Sequence, residues 1–151
     1  MNSPSQGGTL SASSTMNERV SRARLIVADD HAEMLDAIVR LLEPHFDIVS
    51  TVSDGDAALE AAITLKPDLM VLDISMPYLN GIEVTRRLMA AGSKVKIVFL
   101  TVMEDPDLVR AALAAGGSAY VVKSRVTMDL RQAINEVLAG HTFISPPLKL
   151  N

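Results

Sequence analysis

The sequence predicts an α/β fold: a doubly wound, five-stranded parallel sheet. Three observations carry this. Short runs such as "LIVA", "LMVL" and "IVFL" are apolar from end to end, the pattern of strands buried on both faces. Each strand-like run is followed by a segment whose apolar residues recur at helical spacing. The strand–helix pair repeats five times, and right-handed crossovers then place helices on both sides of one sheet.

The elements follow in order. "RLIVAD" (24–29) is the first strand. In "AEMLDAIVRLLEPHF" the apolar positions 34, 35, 38, 41 and 42 mark a helix, which Pro44 helps to end. "DIVSTV" is strand-like, and "DGDAALEAAITLKPD" reads as a helix with Asp54 as N-cap and Pro67 closing it. "DLMVLD" is the third strand. "GIEVTRRLMAAG" is helical and stops at Gly92, and "KVKIVFLT" is the fourth strand. "EDPDLVRAALAAG" places Pro106 in the first helical turn and Gly116 at the end. "SAYVVK" is the fifth strand, and "TMDLRQAINEVLAG" the fifth helix, with contacts from 130, 134, 137 and 138.

Residues 1–18 are rich in Ser, Gly and Thr and poor in bulky apolar side chains. Such a stretch buries too little surface to offset the entropy of ordering. Residues 1–21 are therefore expected to be a disordered tail, with Met16 an alternative start. Residues 22–141 are the predicted domain, and 142–151 a C-terminal tail or the start of a linker.

Composition narrows the function. At 151 residues, 48% hydrophobic and 21% charged, the chain is one globular domain. Its net charge of −4 and the lack of a basic stripe argue against nucleic-acid binding by this chain alone. It contains no Cys, which excludes disulfides, Cys-ligated zinc and a thiol nucleophile. No apolar run reaches the ~18 residues of a membrane span, and the N-terminus lacks the apolar core of a signal peptide. A cytoplasmic location without membrane contact is expected.

In such sheets ligands sit beyond the carboxyl ends of the strands. Here those ends carry Asp29 and Asp30, Asp73, Thr101 and Lys123. Clustered carboxylates repel and call for a cation. Hard oxygen donors with solvent access suit Mg²⁺. A metal-flanked Asp can attack phosphorus to give an aspartyl phosphate, with an ammonium and a hydroxyl sharing the charge on the equatorial oxygens. A lone Asp at a strand end is more often a cap or turn residue; the joint placement of all five distinguishes this set.

The motifs "IVADDH", "VLDISMPYLNGIEV", "IVFLT" and "AYVVK", in this order and register, resemble the receiver domain of two-component response regulators. The likeness covers roughly residues 22–141, and the tail "AGHTFISPPLKLN" is similar to the end of LuxR/NarL-type receivers, here without a helix-turn-helix output domain. The resemblance implies a flavodoxin-like (βα)5 receiver fold and a signalling phosphoacceptor that catalyses only its own phosphorylation and dephosphorylation. It implies that Asp73 is the phosphoacceptor. Asp30, Asp73 and the Ser75 carbonyl would hold Mg²⁺, with Asp29 acting through water. Lys123 and Thr101 would contact the phosphoryl group, and Tyr120 would be the switch aromatic. Implied partners are a sensor histidine kinase or phosphotransfer protein, and a downstream protein or a second copy meeting the fourth helix, fifth strand and fifth helix. The alternative is that the chain is the receiver part of a LuxR-type DNA-binding transcription factor.

Positions two after the acceptor and two after the switch Thr are Ser75 and Met103. Neither orients an attacking water well, and Val102 adds bulk, so slow self-dephosphorylation is expected. His31 follows the acid pair and invites a ligand or base role, but such a residue more often starts a helix and it is left out of the expected site; Pro77 and Gly81 read as loop-fixing. The chain departs from the family in having Ser124 after Lys123, where many receivers carry Pro, and in Gly117 and Ala119. A phosphatase of the haloacid-dehalogenase type wants an acid at 75 and finds Ser. A dinucleotide site wants glycines after the first strand and finds two acids.

Overall fold

The computed structural model describes residues 22–146; the predicted N-terminal tail lies outside them. Strands β1 (Arg24–Ala28), β2 (Asp47–Val52), β3 (Leu69–Asp73), β4 (Lys96–Thr101) and β5 (Ala119–Val122) alternate with helices α1 (Ala32–Leu42), α2 (Gly55–Leu65), α3 (Gly81–Ala90), α4 (Pro106–Ala114) and α5 (Val126–Leu138). A single 3-10 turn, Lys123–Arg125, joins β5 to α5. All strand pairs are parallel. The strand order is β2-β1-β3-β4-β5-β6, so the expected five-stranded doubly wound sheet is present. A two-residue strand, β6 (Phe143–Ile144), extends its edge beyond β5.

The apolar runs are buried on both faces because successive side chains point to opposite sides of the sheet. Ile26, Met70, Leu72, Ile97 and Phe99 pack with residues of α2, α3 and α4. Leu25, Val27, Leu69, Val71 and Leu100 pack with residues of α1 and α5. Every residue of β3 is buried, its terminal Asp73 included. Among the described residues, no helix is long and apolar enough to cross a membrane.

Local chemistry sets the helix ends. Asp54 caps α2 as expected, its side chain accepting from Ala57 N at 2.8 Å. Asn80 does the same for α3, accepting from Glu83 N at 2.9 Å. Asp105 accepts from Asp107 N at 2.9 Å, with Pro106 opening α4. Helix α2 stops at Lys66, which adopts a left-handed conformation at φ 48° just before Pro67. Gly92, at φ 80°, closes α3 in the manner of a left-handed C-terminal glycine.

The backbone stays in the sheet past residue 141 because buried Ser145 fastens it. Ser145 N donates to Tyr120 O at 2.9 Å. Its hydroxyl donates to Asp129 Oδ2 at 2.7 Å and accepts from Val122 N at 3.2 Å. Arg125 completes the pairing of Asp129 from its Nε at 2.7 Å and Nη2 at 3.1 Å.

Candidate functional site

Parallel register brings the strand ends to one rim. Ala28 pairs with Leu72, Asp73 with Leu100, and Thr101 with Val122. The next residues outward are Asp29 and Asp30 on one side and Lys123 on the other. Asp29 and Asp73 are 1% and 2% exposed and Lys123 is 9% exposed, while Asp30 sits further out in solvent.

Lys123 spans the two buried acids. Its Nζ donates to Asp73 Oδ2 at 3.2 Å and lies 2.8 Å from Asp29 Oδ2. The second contact is the shorter of the two, so the Lys123 ammonium serves both carboxylates. The opposite oxygen, Asp29 Oδ1, accepts from His31 N at 2.8 Å. Asp73 Oδ1 accepts from Ser75 N at 3.2 Å.

The electrostatics follow. Burial pushes the Asp73 carboxyl up; Lys123 pulls it down, Asp29 raises it again, and it settles at about 6. Burial alone would discharge Lys123, but its contacts with Asp29 and Asp73 outweigh that and hold its pKa above the ordinary value. At neutral pH the rim therefore holds the Lys123 ammonium and an ionised Asp73 carboxylate in one buried corner.

One carboxylate oxygen from each of Asp29, Asp30 and Asp73 and a ring nitrogen of His31 lie within 4.8 Å of one another. This spacing of oxygen donors fits a hard divalent cation, and such an acidic cluster is typical of Mg²⁺ sites in receiver domains. Beside it opens a cavity of about 580 Å³ lined in part by Asp30, Ser75, Asn80, Arg86 and Met103.

Of the expected site residues, Asp29, Asp30, Asp73 and Lys123 come together directly, and exposed Ser75, two residues on, joins them through its N–H to Asp73 Oδ1. Thr101 and Tyr120 converge instead on Met103. Thr101 Oγ1 accepts from Met103 N at 3.2 Å, and Tyr120 OH donates to Met103 O at 2.9 Å. Tyr120 is fully buried; burial, then the charges of Asp105 and Glu104, push its phenol up to about 12. Val102 and Met103 are both exposed.

Two features of the site were left out of the expected set. His31 occupies the N-cap of α1 without using its side chain as a cap. Its Nδ1 turns to the acids instead, 3.1 Å from Asp30 Oδ1 and 3.4 Å from Asp29 Oδ1. Its place after "DD" was the available signal. Gly55, far from the motifs in sequence, abuts the loop leading from Asp73: a Cβ there would fall 1.7 Å from Leu79 O.

A parallel sheet with a buried Asp–Lys pair and an acidic cluster at its carboxyl rim defines a phosphoacceptor module rather than an enzyme in the ordinary sense. Residues 25–135 match the response regulator receiver domain, and the chain belongs to that family. It is 33% identical over 140 residues to the transcriptional regulatory protein DegU of Brevibacillus brevis, covering 90% of this chain and 59% of that protein. It is 30% identical over 128 residues to the nitrate/nitrite response regulator protein NarL of Escherichia coli, covering 83% and 59%. The chain thus spans about six-tenths of the length of these curated relatives.

Among solved structures, it is similar to a LuxR-family two-component response regulator from Aurantimonas sp. SI85-9A1, with a TM-score of 0.80 and 32% identity, covering 85% of this chain and 93% of the other. The isolated receiver domain of RcsB from Salmonella enterica serovar Typhimurium, determined with the phosphomimetic BeF3-, gives 0.77 and 25%, covering 83% and 95%. The family is one of phosphoacceptor signalling, close to LuxR/NarL-type regulators, and the phosphatase and dinucleotide readings give way to it.

Proposed function

We propose that the chain is a signalling receiver that takes a phosphoryl group on Asp73 and thereby switches a protein-contact surface. The observation that carries this reading is Lys123 held between Asp29 and Asp73 at the carboxyl rim. An Asp73 oxygen attacks phosphorus; the new O–P bond forms as the bond to the donor's leaving atom breaks, and the electron pair departs with the leaving group. The donor is a histidine kinase or phosphotransfer protein. Lys123 neutralises one equatorial oxygen, and the Thr101 hydroxyl serves another after leaving its Met103 contact. Asp29, Asp30, Asp73 and the Ser75 carbonyl are the groups to hold Mg²⁺, which supplies charge neutralisation when bound.

The added ≈ −1.5 to −2 charge draws Thr101 inward. That breaks its bond to Met103 N, and Tyr120 shares the same residue. The surface of α4, β5 and α5 then changes toward a downstream protein or a second copy. Within these residues no DNA-reading element is assigned, and the cytoplasm is the proposed location.

Intact-mass analysis after acetyl phosphate and Mg²⁺ tests the reading. One phosphoryl adduct is expected on the wild type, and none without Mg²⁺ or in Asp30→Ala. Steady release of inorganic phosphate without an accumulating adduct would point to a phosphatase instead. The lifetime of the adduct should be long, because Ser75 and Met103 offer poor handles for water. Met103→Glu should shorten it several-fold in a decay measurement; equal decay would remove Met103 and its loop from rate setting.

A further inference from the structure

We infer that β6, with the Ser145 that follows it, is a latch on Tyr120: it holds the phenol ring in its buried position before any phosphoryl group arrives, and so limits how far the ring takes part in switching. The inference rests on the proposed place of Tyr120 in the switch. Its basis is what surrounds that residue. Tyr120 is fully buried and sits between two register partners, Phe99 of β4 on one side and Ile144 of β6 on the other. Side chains at paired positions share one face of a sheet. Phe99, Tyr120 and half-buried Ile144 accordingly pack in one cluster with Val109 and Ala112 of α4. Were β5 the last strand, the outer side of the ring would face water. Here Ile144 occupies that side.

The latch is fastened through Ser145, which is wholly buried. Its N–H donates to Tyr120 O at 2.9 Å, so the segment is pinned to the residue it covers. Its hydroxyl accepts from Val122 N and donates to Asp129 Oδ2, which ties the segment to α5. Arg125 holds Asp129 in turn. For the ring to swing outward, Ile144 must be pushed off β5 and these buried bonds must break together. Buried polar groups left unpaired are costly, so the outward state is rare. The far end of the ring is held separately, by its hydroxyl on Met103 O. Residues 102–105 around that contact are exposed and are the part of the switch left free to respond.

The chain contains two tyrosines. Fluorotyrosine labelling of the full chain therefore gives one ¹⁹F NMR signal from each, and Tyr78→Phe assigns them. Tyr78 is 85% exposed and serves as the solvent reference. Without phosphoryl donor, a dissolved nitroxide should relax the Tyr78 signal strongly and the Tyr120 signal hardly at all. Ser145→Ala and Ile144→Ala should each raise the nitroxide effect on Tyr120 about tenfold, the scale set by losing a hydrogen bond or two or their equivalent in packing. Mg²⁺ with beryllofluoride, a phosphoryl mimic, should then shift the Tyr120 signal further in either variant than in the wild type. A wild-type Tyr120 signal as open to nitroxide as that of Tyr78 overturns the inference, even if a variant fails to fold. So does an unchanged nitroxide effect in both variants when their circular dichroism matches the wild type, and so do equal, non-zero beryllofluoride shifts. If beryllofluoride shifts no signal and acetyl phosphate leaves no adduct, the phosphoacceptor reading fails, and the nitroxide comparison still decides the latch.

Discussion

Asp73→Asn is expected to abolish phosphoryl uptake and, in metal-free buffer at pH 8, to make the protein more stable than the wild type. The first effect is chemical: an amide is not a nucleophile toward phosphorus. The second follows from burial. The Asp73 carboxyl titrates at about 6 in the folded protein against an ordinary 3.8. Between these values the folded state holds a proton that the unfolded chain has released. Stability therefore falls as pH rises through that window and stays lower above it. The cost of keeping the charge is on the order of 2–3 kcal/mol, and Asn does not incur it while Lys123 keeps Asp29 as a partner. Urea unfolding from pH 4 to 8 in EDTA should give a downward slope for the wild type and a flatter one for Asp73→Asn. Parallel profiles would mean that Asp73 is ionised without strain, and a phosphoryl adduct on the Asn variant would place the acceptor elsewhere.

Gly55→Ala should be the most damaging single-methyl change in the domain. At the start of a helix Ala is ordinarily preferred to Gly. Here the added Cβ would fall 1.7 Å from Leu79 O and 2.6 Å from Leu79 Cβ. The obstacle is backbone and cannot swing aside. Gly55 N also donates to Pro77 O at 3.2 Å, so the start of α2 and the 77–80 loop brace each other. A loss of roughly 3 kcal/mol is expected, with slower phosphorylation because that loop continues from Asp73. Gly92→Ala is the comparison: open space surrounds it, and only its φ of 80° opposes a side chain, costing about 1 kcal/mol. Equal urea midpoints for the two variants would show that the 77–80 loop yields freely.

The parts of the fold that were legible in the sequence are those with dense, one-dimensional signals. "LMVLD" is apolar up to its last residue and is the central strand; Asp54 and Pro106 mark the helix starts they were expected to mark. Asp29, Asp30, Asp73 and Lys123 were legible because a parallel sheet sends every strand end to one rim. The rest depends on contacts between distant segments. Two residues, Phe143 and Ile144, carry no periodicity and become a strand only because β5 offers them a register. The stop at Lys66 is a backbone conformation that its side chain does not announce. Gly55 has no local reason to be glycine; its reason is Leu79. Tyr120 was assigned to the site by motif, yet which backbone atom its hydroxyl would find, Met103 O, required the fold.

Ser145 changes where this polypeptide can be severed. A version ending at 141 would keep every helix and all five long strands, yet it would leave the Val122 N–H without its side-chain acceptor and Asp129 with Arg125 as its remaining partner. It would also bare β5 as an open, pairing-competent margin. Both wounds reach Val122, the residue before Lys123. The fold therefore leans on residues 143–145, and a cut ahead of them would fray the edge from which Lys123 emerges.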